Sequence, residues 1–217
     1  MSSPVNNQLE NRIERRRAYV REEFINAART VIEQRGLQGF SLELVGQEIG
    51  VRKQAVYHYF HSKEAVLFEV AFEELARCAG AVSEAVERTS SGADAVEALL
   101  RVYFAAFRGR TRLFQLSHTF MPTFDLARLM DAERLARLRP LNDALLAGVA
   151  ERVARDRGPD CSPEEARRFA FTAYTSVIGL LAMKALVESA GDPLRHADET
   201  MLATLISTYR NAAIHWR

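Results

Sequence analysis

The stretch GVRKQAVYHYF, Gly50 to Phe60, decides how the rest of the chain is read. Within it stand two cations, an amide, two tyrosines and a histidine, yet Val51, Ala55, Val56 and Phe60 keep an apolar spacing that one helix face can bury. A segment with a packed side and a side crowded with donors is built to be held by a core while presenting something to solvent.

The residues just before it supply the rest of a helix-turn-helix, which needs two short helices, a tight turn and a small residue at the contact. Ser41 is placed to cap a helix running through Ile49. Gly46 offers a small surface at the close approach, and Gly50 frees the turn from the Cβ penalty. Leu44, Val45, Ile49, Val51 and Val56 are expected to face inward. The second helix, from about Arg52 to Phe60, then turns Lys53, Gln54, Tyr57 and His58 outward. These side chains suit duplex DNA. Lysine neutralises phosphate and releases counterions. Glutamine reads adenine and Arg or Lys reads guanine in the major groove. Tyrosine hydroxyls position a helix on the backbone. Lys63, in the first turn of the next helix, adds a cation where helix amides already favour anions.

Charge agrees weakly with this reading. The chain of 217 residues has a net charge of +1, so no global field draws it to nucleic acid. Residues 1–68 hold ten Lys/Arg against eight Asp/Glu, and the remainder nineteen against twenty. Arg12, Arg15, Arg16 and Arg17 form either an arm toward a DNA groove or phosphates, or the solvated start of a long first helix. His58 and His61 stand three apart without further ligands nearby, so no metal is expected. Cys78 and Cys161 have neither disulfide-framework nor zinc spacing, and no cofactor is expected.

Helix signals recur along the whole chain, and strand alternation and hairpin turns are nearly absent. Phe24, Ile25, Ala28, Val31 and Ile32 mark a first helix closed by Gly36. Ser62 is placed to cap a helix running to about Arg88. Further helices follow from Gly92, from about Leu126 to Arg157 with a kink or split at Pro140, from a Ser162-Pro163-Glu164-Glu165 capping box to about Ala190, and from about Ala197 to Trp216. The fold class is all-α: an N-terminal three-helix domain with a helix-turn-helix, residues 1–61, then a larger helical body, residues 62–217, whose first helix, about 62–89, bridges the two. The polar N-terminus and the lack of an apolar run of about 18 residues point to a cytoplasmic protein with no membrane partner.

Residues 18–68 resemble the N-terminal domain of the TetR family of bacterial transcriptional regulators. The resemblance is carried by Ala27-Ala28…Gly36, Phe40-Ser41-Leu42…Val45-Gly46, Gly50-Val51, Val56-Tyr57-His58-Tyr59-Phe60 and Ser62-Lys63-Glu64. It implies a homodimer on a palindromic operator in double-stranded DNA, and a C-terminal domain that takes a small-molecule effector and releases the DNA. With it, Ser41, Arg52, Lys53, Gln54, Tyr57, His58, Tyr59 and Lys63 are the expected DNA contacts. Three residues depart from the family pattern: Arg52 replaces a capping Ser or Thr, and Gly46 and Ile49 replace alanines.

In the body, the aromatic and Met-rich run from Leu113 to Phe124 reads either as an adaptable ligand wall or as core. The candidate pocket residues are Tyr103, Phe104, Phe107, Phe114, Gln115, His118, Phe120, Met121, Phe124 and Tyr174. Lys184 either pairs with an anionic ligand or snorkels to the surface. Ala173, Val177, Leu180 and Met183 on one helix, and Leu202, Leu205, Ile206 and Tyr209 on the last, are the candidate dimer surface; the alternative is packing within one chain. The function these features support is a homodimeric repressor released from its operator by a small, largely apolar ligand. The other readings are a DNA-binding regulator without an inducer and a helical enzyme. Against the enzyme, there is no P-loop, Gly-x-Ser-x-Gly or His-Glu-x-x-His motif, and no Glu lies three residues before a histidine.

Overall fold

A computed structural model describes residues 4–120, 132–190 and 196–215, with the side chains of residues 4–11, 119, 120, 133, 135, 188, 189 and 215 left aside. Among the described residues all regular structure is helical: α1 (Pro4–Arg35), α2 (Leu42–Glu48), α3 (Lys53–Tyr57), α4 (Lys63–Glu87), α5 (Gly92–Phe107), α6 (Thr111–Gln115), a π-helical turn (Leu116–Phe120), α7 (Ala132–Arg157), a 3₁₀ turn (Gly158–Asp160), α8 (Pro163–Ala190) and α9 (Asp198–His215). The chain divides into two units, Met1–Ala71 and Phe72–Arg217, with the break inside α4.

Local chemistry explains the boundaries in the first unit. Gly36 ends α1 with φ 70°, and its N–H closes on Ile32 O at 2.8 Å. The Ser41 hydroxyl accepts from Leu44 N at 3.3 Å, and the Ser62 hydroxyl from Ala65 N at 3.1 Å, capping α2 and α4. Phe24, Ile25, Ala28, Val31 and Ile32 of α1 are buried with Phe40, Leu42, Val45, Val56 and Phe60. Three inward expectations change. Val51 is exposed, Leu44 and Ile49 are half-buried, and Leu42 takes the deeper place. The helix α3 is only five residues long, so its core contact falls chiefly on Val56.

In the second unit α5 is central, packed against α7, α8 and α9. Val96, Leu99, Leu100, Tyr103, Phe104 and Phe107 line its buried side. Asp156 of α7 accepts from Gly92 N at 2.6 Å, satisfying an orphan N–H at the start of α5. Arg210 of α9 reaches Asp94 at 2.7 Å and Glu97 at 2.5 Å on α5. The capping box opens α8: Ser162 N donates to Glu165 Oε2 at 2.8 Å, and Glu165 N donates to Ser162 Oγ at 3.2 Å. Pro140 stands inside α7, which runs past it as one element. Residues 191–195, just past the expected end of α8, and the expected end of the last helix at Trp216 lie outside the described residues, as does the segment from Leu126 to Asp131.

Candidate nucleic-acid interface and effector cluster

Two glycines set the turn that aims α3. Gly50 holds φ 73°, a left-handed conformation that costs other residues energy. At Gly46, a Cβ would lie 2.7 Å from the backbone oxygen of Val51. The N–H of Val51 donates to Gly46 O at 2.8 Å. The departure from alanine at position 46 is thus tied to a close approach between the end of α2 and the turn.

Beyond that turn the structure brings the expected DNA contacts into two groups. Arg52, Lys53, Gln54, Tyr57 and His58 are exposed together on and around α3. Lys53 stands over the Tyr57 ring, with Nζ 5.5 Å from its centroid, which stiffens the pair. The other three are partly committed elsewhere. Ser41 is the α2 cap, Tyr59 packs against Phe24 with centroids 5.2 Å apart, and Lys63 sits over Phe40 at 5.6 Å. Arg52 occupies the N-cap position of α3 without a side-chain cap hydrogen bond.

In the second unit the described pocket candidates other than Gln115 assemble around a part-buried polar chain. Tyr103, Phe104, Phe107 and Phe114 are buried. His118 Nδ1 lies 3.1 Å from Phe114 O. A carbonyl only accepts, so that nitrogen carries the proton and Nε2 accepts. Tyr103 O–H donates to Nε2 at 2.5 Å, and Tyr174 O–H donates to the Tyr103 oxygen at 3.3 Å. Burial holds the His118 pKa down to about 4, opposed by the Phe114 carbonyl, so the imidazole is neutral near pH 7. Burial likewise pushes both tyrosines up. Phe114 stacks on His118 at 4.6 Å, and Phe107 meets it edge-on at 5.1 Å.

The π-helical turn delivers His118 to this place; such turns concentrate at functional sites. Periodicity at 3.6 residues could not have signalled it. Gln115, expected as a polar handle, is exposed and does not join the cluster. Met121 and Phe124 lie outside the described residues, and the side chain of Phe120 is not described. Lys184 pairs with Asp198 at 2.6 Å. Cys78 is buried and its thiol is pushed up to about 12 by that burial, which leaves it a poor nucleophile.

The expected dimer surface needs correcting. Ala173, Val177, Leu202 and Ile206 are buried in the chain's own core, and Leu180, Leu205 and Tyr209 pack at its edge. Only Met183 of that set is largely exposed. The helix α8 carries a second apolar stripe that spacing alone could not rank against the first. On α8 it holds Phe171, Met183 and Leu186, exposed to 54%, 57% and 58%, along one line with Thr175, Gly179 and Ala182. On α9 an open groove is lined by Glu199, Thr200, Ala203, Thr204, Ser207 and Thr208. The segment Pro163–Val187 of α8 is also long and apolar enough to cross a membrane by length and composition, which a count of unbroken apolar runs did not reveal. Among the described residues no cluster of three or more His, Cys, Asp or Glu is placed to hold a metal.

Comparison with known proteins agrees with the first unit's geometry. Residues 24–70 match the family model of bacterial regulatory proteins of the tetR family. The HTH-type transcriptional regulator BetI of Vibrio vulnificus is 26% identical over 134 residues. That alignment spans 61% of this chain and 65% of the relative, short of two thirds of its length. A protein of unknown function from Rhodococcus sp. RHA1 has the same fold, with a TM-score of 0.70 at 20% identity over 90% of this chain and 95% of the other. So has the transcriptional regulator FadR from Bacillus subtilis, solved in complex with stearoyl-CoA, with a TM-score of 0.62 at 14% identity over 89% and 97%.

Proposed function

From the premise that the N-terminal segment is a TetR-family DNA-binding domain, we propose that the protein is a homodimeric transcriptional repressor. It reads a palindromic operator with α3 and leaves it when a small, largely apolar effector enters the second unit. The observation that carries this reading is the exposed set Arg52, Lys53, Gln54, Tyr57 and His58, fixed in orientation by the turn at Gly46 and Gly50. Arg52 and Gln54 are assigned to base edges. Lys53, Tyr57, His58, Tyr59, Lys63 and Ser41 are assigned to the backbone.

One five-residue helix makes few contacts, and a symmetric pair doubles them at a spacing of about 34–36 Å on the duplex. The stripe of Phe171, Met183 and Leu186 on α8 and the small-residue groove on α9 suit a partner copy, large side chains entering a groove floored by Ala and Thr. Burial against a second chain also accounts for the apolar character of α8 without a membrane, consistent with a cytoplasmic location.

Effector binding is assigned to the surroundings of Tyr103, His118 and Tyr174, with Phe104, Phe107 and Phe114 as apolar wall. The FadR relative's stearoyl-CoA supports an apolar-bodied effector. The element α4 has residues in both units and is the route by which effector binding acts on α3. The coupling is reciprocal, so operator DNA must weaken effector binding by the same factor.

Duplexes selected from a random pool by the purified protein should contain an inverted repeat, and the selected duplex should be bound by a dimer in sedimentation. A monomer on DNA, or no enrichment at low salt, overturns the reading. A second reading, a regulator without an effector, is favoured by one observation: every polar atom of the Tyr103–His118 pair already has a partner. Operator affinity that no member of a panel of apolar small molecules changes supports that reading over the first.

A further inference from the structure

From Arg12, where the described side chains begin, α1 runs about 18 Å at a rise of about 1.5 Å per residue before a buried side chain, Phe24, is reached. From Arg12 to Tyr19 every residue is exposed, Ile13 to 61% and Tyr19 to 62%. A helix with no buried face gains nothing from packing there. The sequence of this stretch is instead cationic: Arg12, Arg15, Arg16 and Arg17 against Glu14 alone.

The base of this arm is anchored beside the helix-turn-helix. Arg21 pairs with Glu69 at 3.0 Å and stands 5.0 Å from the Phe60 ring. Phe24 meets Tyr59 and Phe60. Arg17, Arg21 and Phe24 follow one line along α1 at helical spacing. Arg17 is therefore one turn beyond Arg21, on the face that meets the junction of α3 and α4. That junction carries Tyr57, His58, Tyr59 and Lys63.

On the premise of the DNA-binding reading above, we infer that the helical arm of α1 is a second DNA-contact surface. Its arginines lie along backbone phosphates flanking the bases read by α3, and Arg17 makes the nearest contact. Contacts to phosphates are the same at every sequence, so the arm's contribution is electrostatic and carries no base preference. The arm thereby lengthens the footprint and adds affinity at any sequence.

The test uses the full chain and two fluorescein-labelled duplexes, one selected from a random pool and one unrelated, titrated by anisotropy across a salt series. Replacing Arg12, Arg15, Arg16 and Arg17 together with Gln should weaken both duplexes by roughly tenfold or more at low salt. It should flatten the log–log salt slope by about 0.9 for each phosphate lost, leaving the preference between duplexes unchanged. The matching four-Lys variant should keep the wild-type slope. Among single changes, Arg17→Gln should have the largest effect. Circular dichroism and sedimentation check that the variants remain folded and associated.

A four-Gln variant with the wild-type slope overturns the inference. So does loss of association with the slope intact, which would make the arm a surface between copies. Loss of duplex preference in both the Gln and Lys variants overturns the phosphate assignment in favour of groove reading. If the wild type binds no duplex, the DNA-binding reading itself falls; if it binds and only the arm is silent, this inference falls alone.

Discussion

The two units put their polar groups to opposite uses. Around α3, side chains able to bond are exposed, and the backbone that aims them is tightly fixed. Around α5, the polar chain Tyr174–Tyr103–His118 is largely buried and satisfied within the unit, its end closed on the Phe114 carbonyl. A surface that must grip a polyanion keeps its donors in water until the partner arrives. An interior that keeps three polar groups must bond them internally, because each unpaired group costs about 1–3 kcal/mol. The first arrangement is specified by residue type at fixed offsets. The second is specified by shape, and shape is written across distant parts of the chain.

The largest break in this contrast comes from Tyr103, which is fully buried toward the C-terminal end of α5. Tyr103→Ala should destabilise the second unit by about 3–5 kcal/mol, the usual cost of truncating a large buried aromatic. Urea melts of the full chain should then show the second unit unfolding first, with DNA binding lost only as the proposed dimer comes apart. Tyr103→Phe is the sharper variant. It keeps the ring and leaves His118 Nε2 without a donor, so a loss of about 1–3 kcal/mol is expected.

Next stands the close approach at Gly46. Gly46→Val forces a Cβ toward the Val51 carbonyl, a backbone atom that cannot swing aside. An overpacking cost of about 1–3 kcal/mol follows, confined to the first unit. Operator binding should fail while the melt of the second unit and the dimer mass stay unchanged. Equal stability and affinity in this variant would show that the turn tolerates a side chain and that glycine there is incidental.

These two outcomes also mark what the sequence made legible. Ser41, Gly46, Gly50 and Ser62 act at fixed spacing within twenty-odd residues, so caps and turn could be read from residue types. The tetR family match over residues 24–70 covers the same ground. The aromatic run after Leu113 was legible as unusual but not as geometry. The π-helical turn sets which residue of that run faces Tyr103, and residue type alone marked Gln115 as a polar handle although it is exposed. On α8 the same limit applies. Apolar residues lie on both sides of the helix, so spacing chose Ala173 and Val177 where exposure favours Phe171 and Leu186.

Acid provides a milder probe of the interior. Burial holds the His118 pKa near 4, below the usual 6.5. Between those values the unfolded chain binds a proton that the folded chain refuses. Stability contributed by neutral His118 is therefore complete above about pH 6.5 and declines as pH falls toward 4. At about 1.4 kcal/mol per unit, and allowing for partial exposure of the ring, the loss is about 2 kcal/mol. Urea midpoints from pH 7 to pH 4.5 should fall for the wild type and flatten for His118→Gln.

The smallest effect is the most informative about α3, because stability and function should move in opposite directions there. Arg52 occupies a cap position without making a cap hydrogen bond, whereas Ser41 and Ser62 cap α2 and α4. Arg52→Ser should add about 1 kcal/mol of helix stability, seen as a higher urea midpoint for the first unit. The same change removes a cation from the proposed DNA face. Affinity should drop, and if Arg52 reads a guanine, discrimination at one operator position should relax by about 1–3 kcal/mol. If Arg52 touches phosphate, affinity falls equally on every duplex and the salt slope loses about one contact. A variant more stable and equally tight on DNA would make position 52 a cap that happens to lack its capping residue, with no part in recognition.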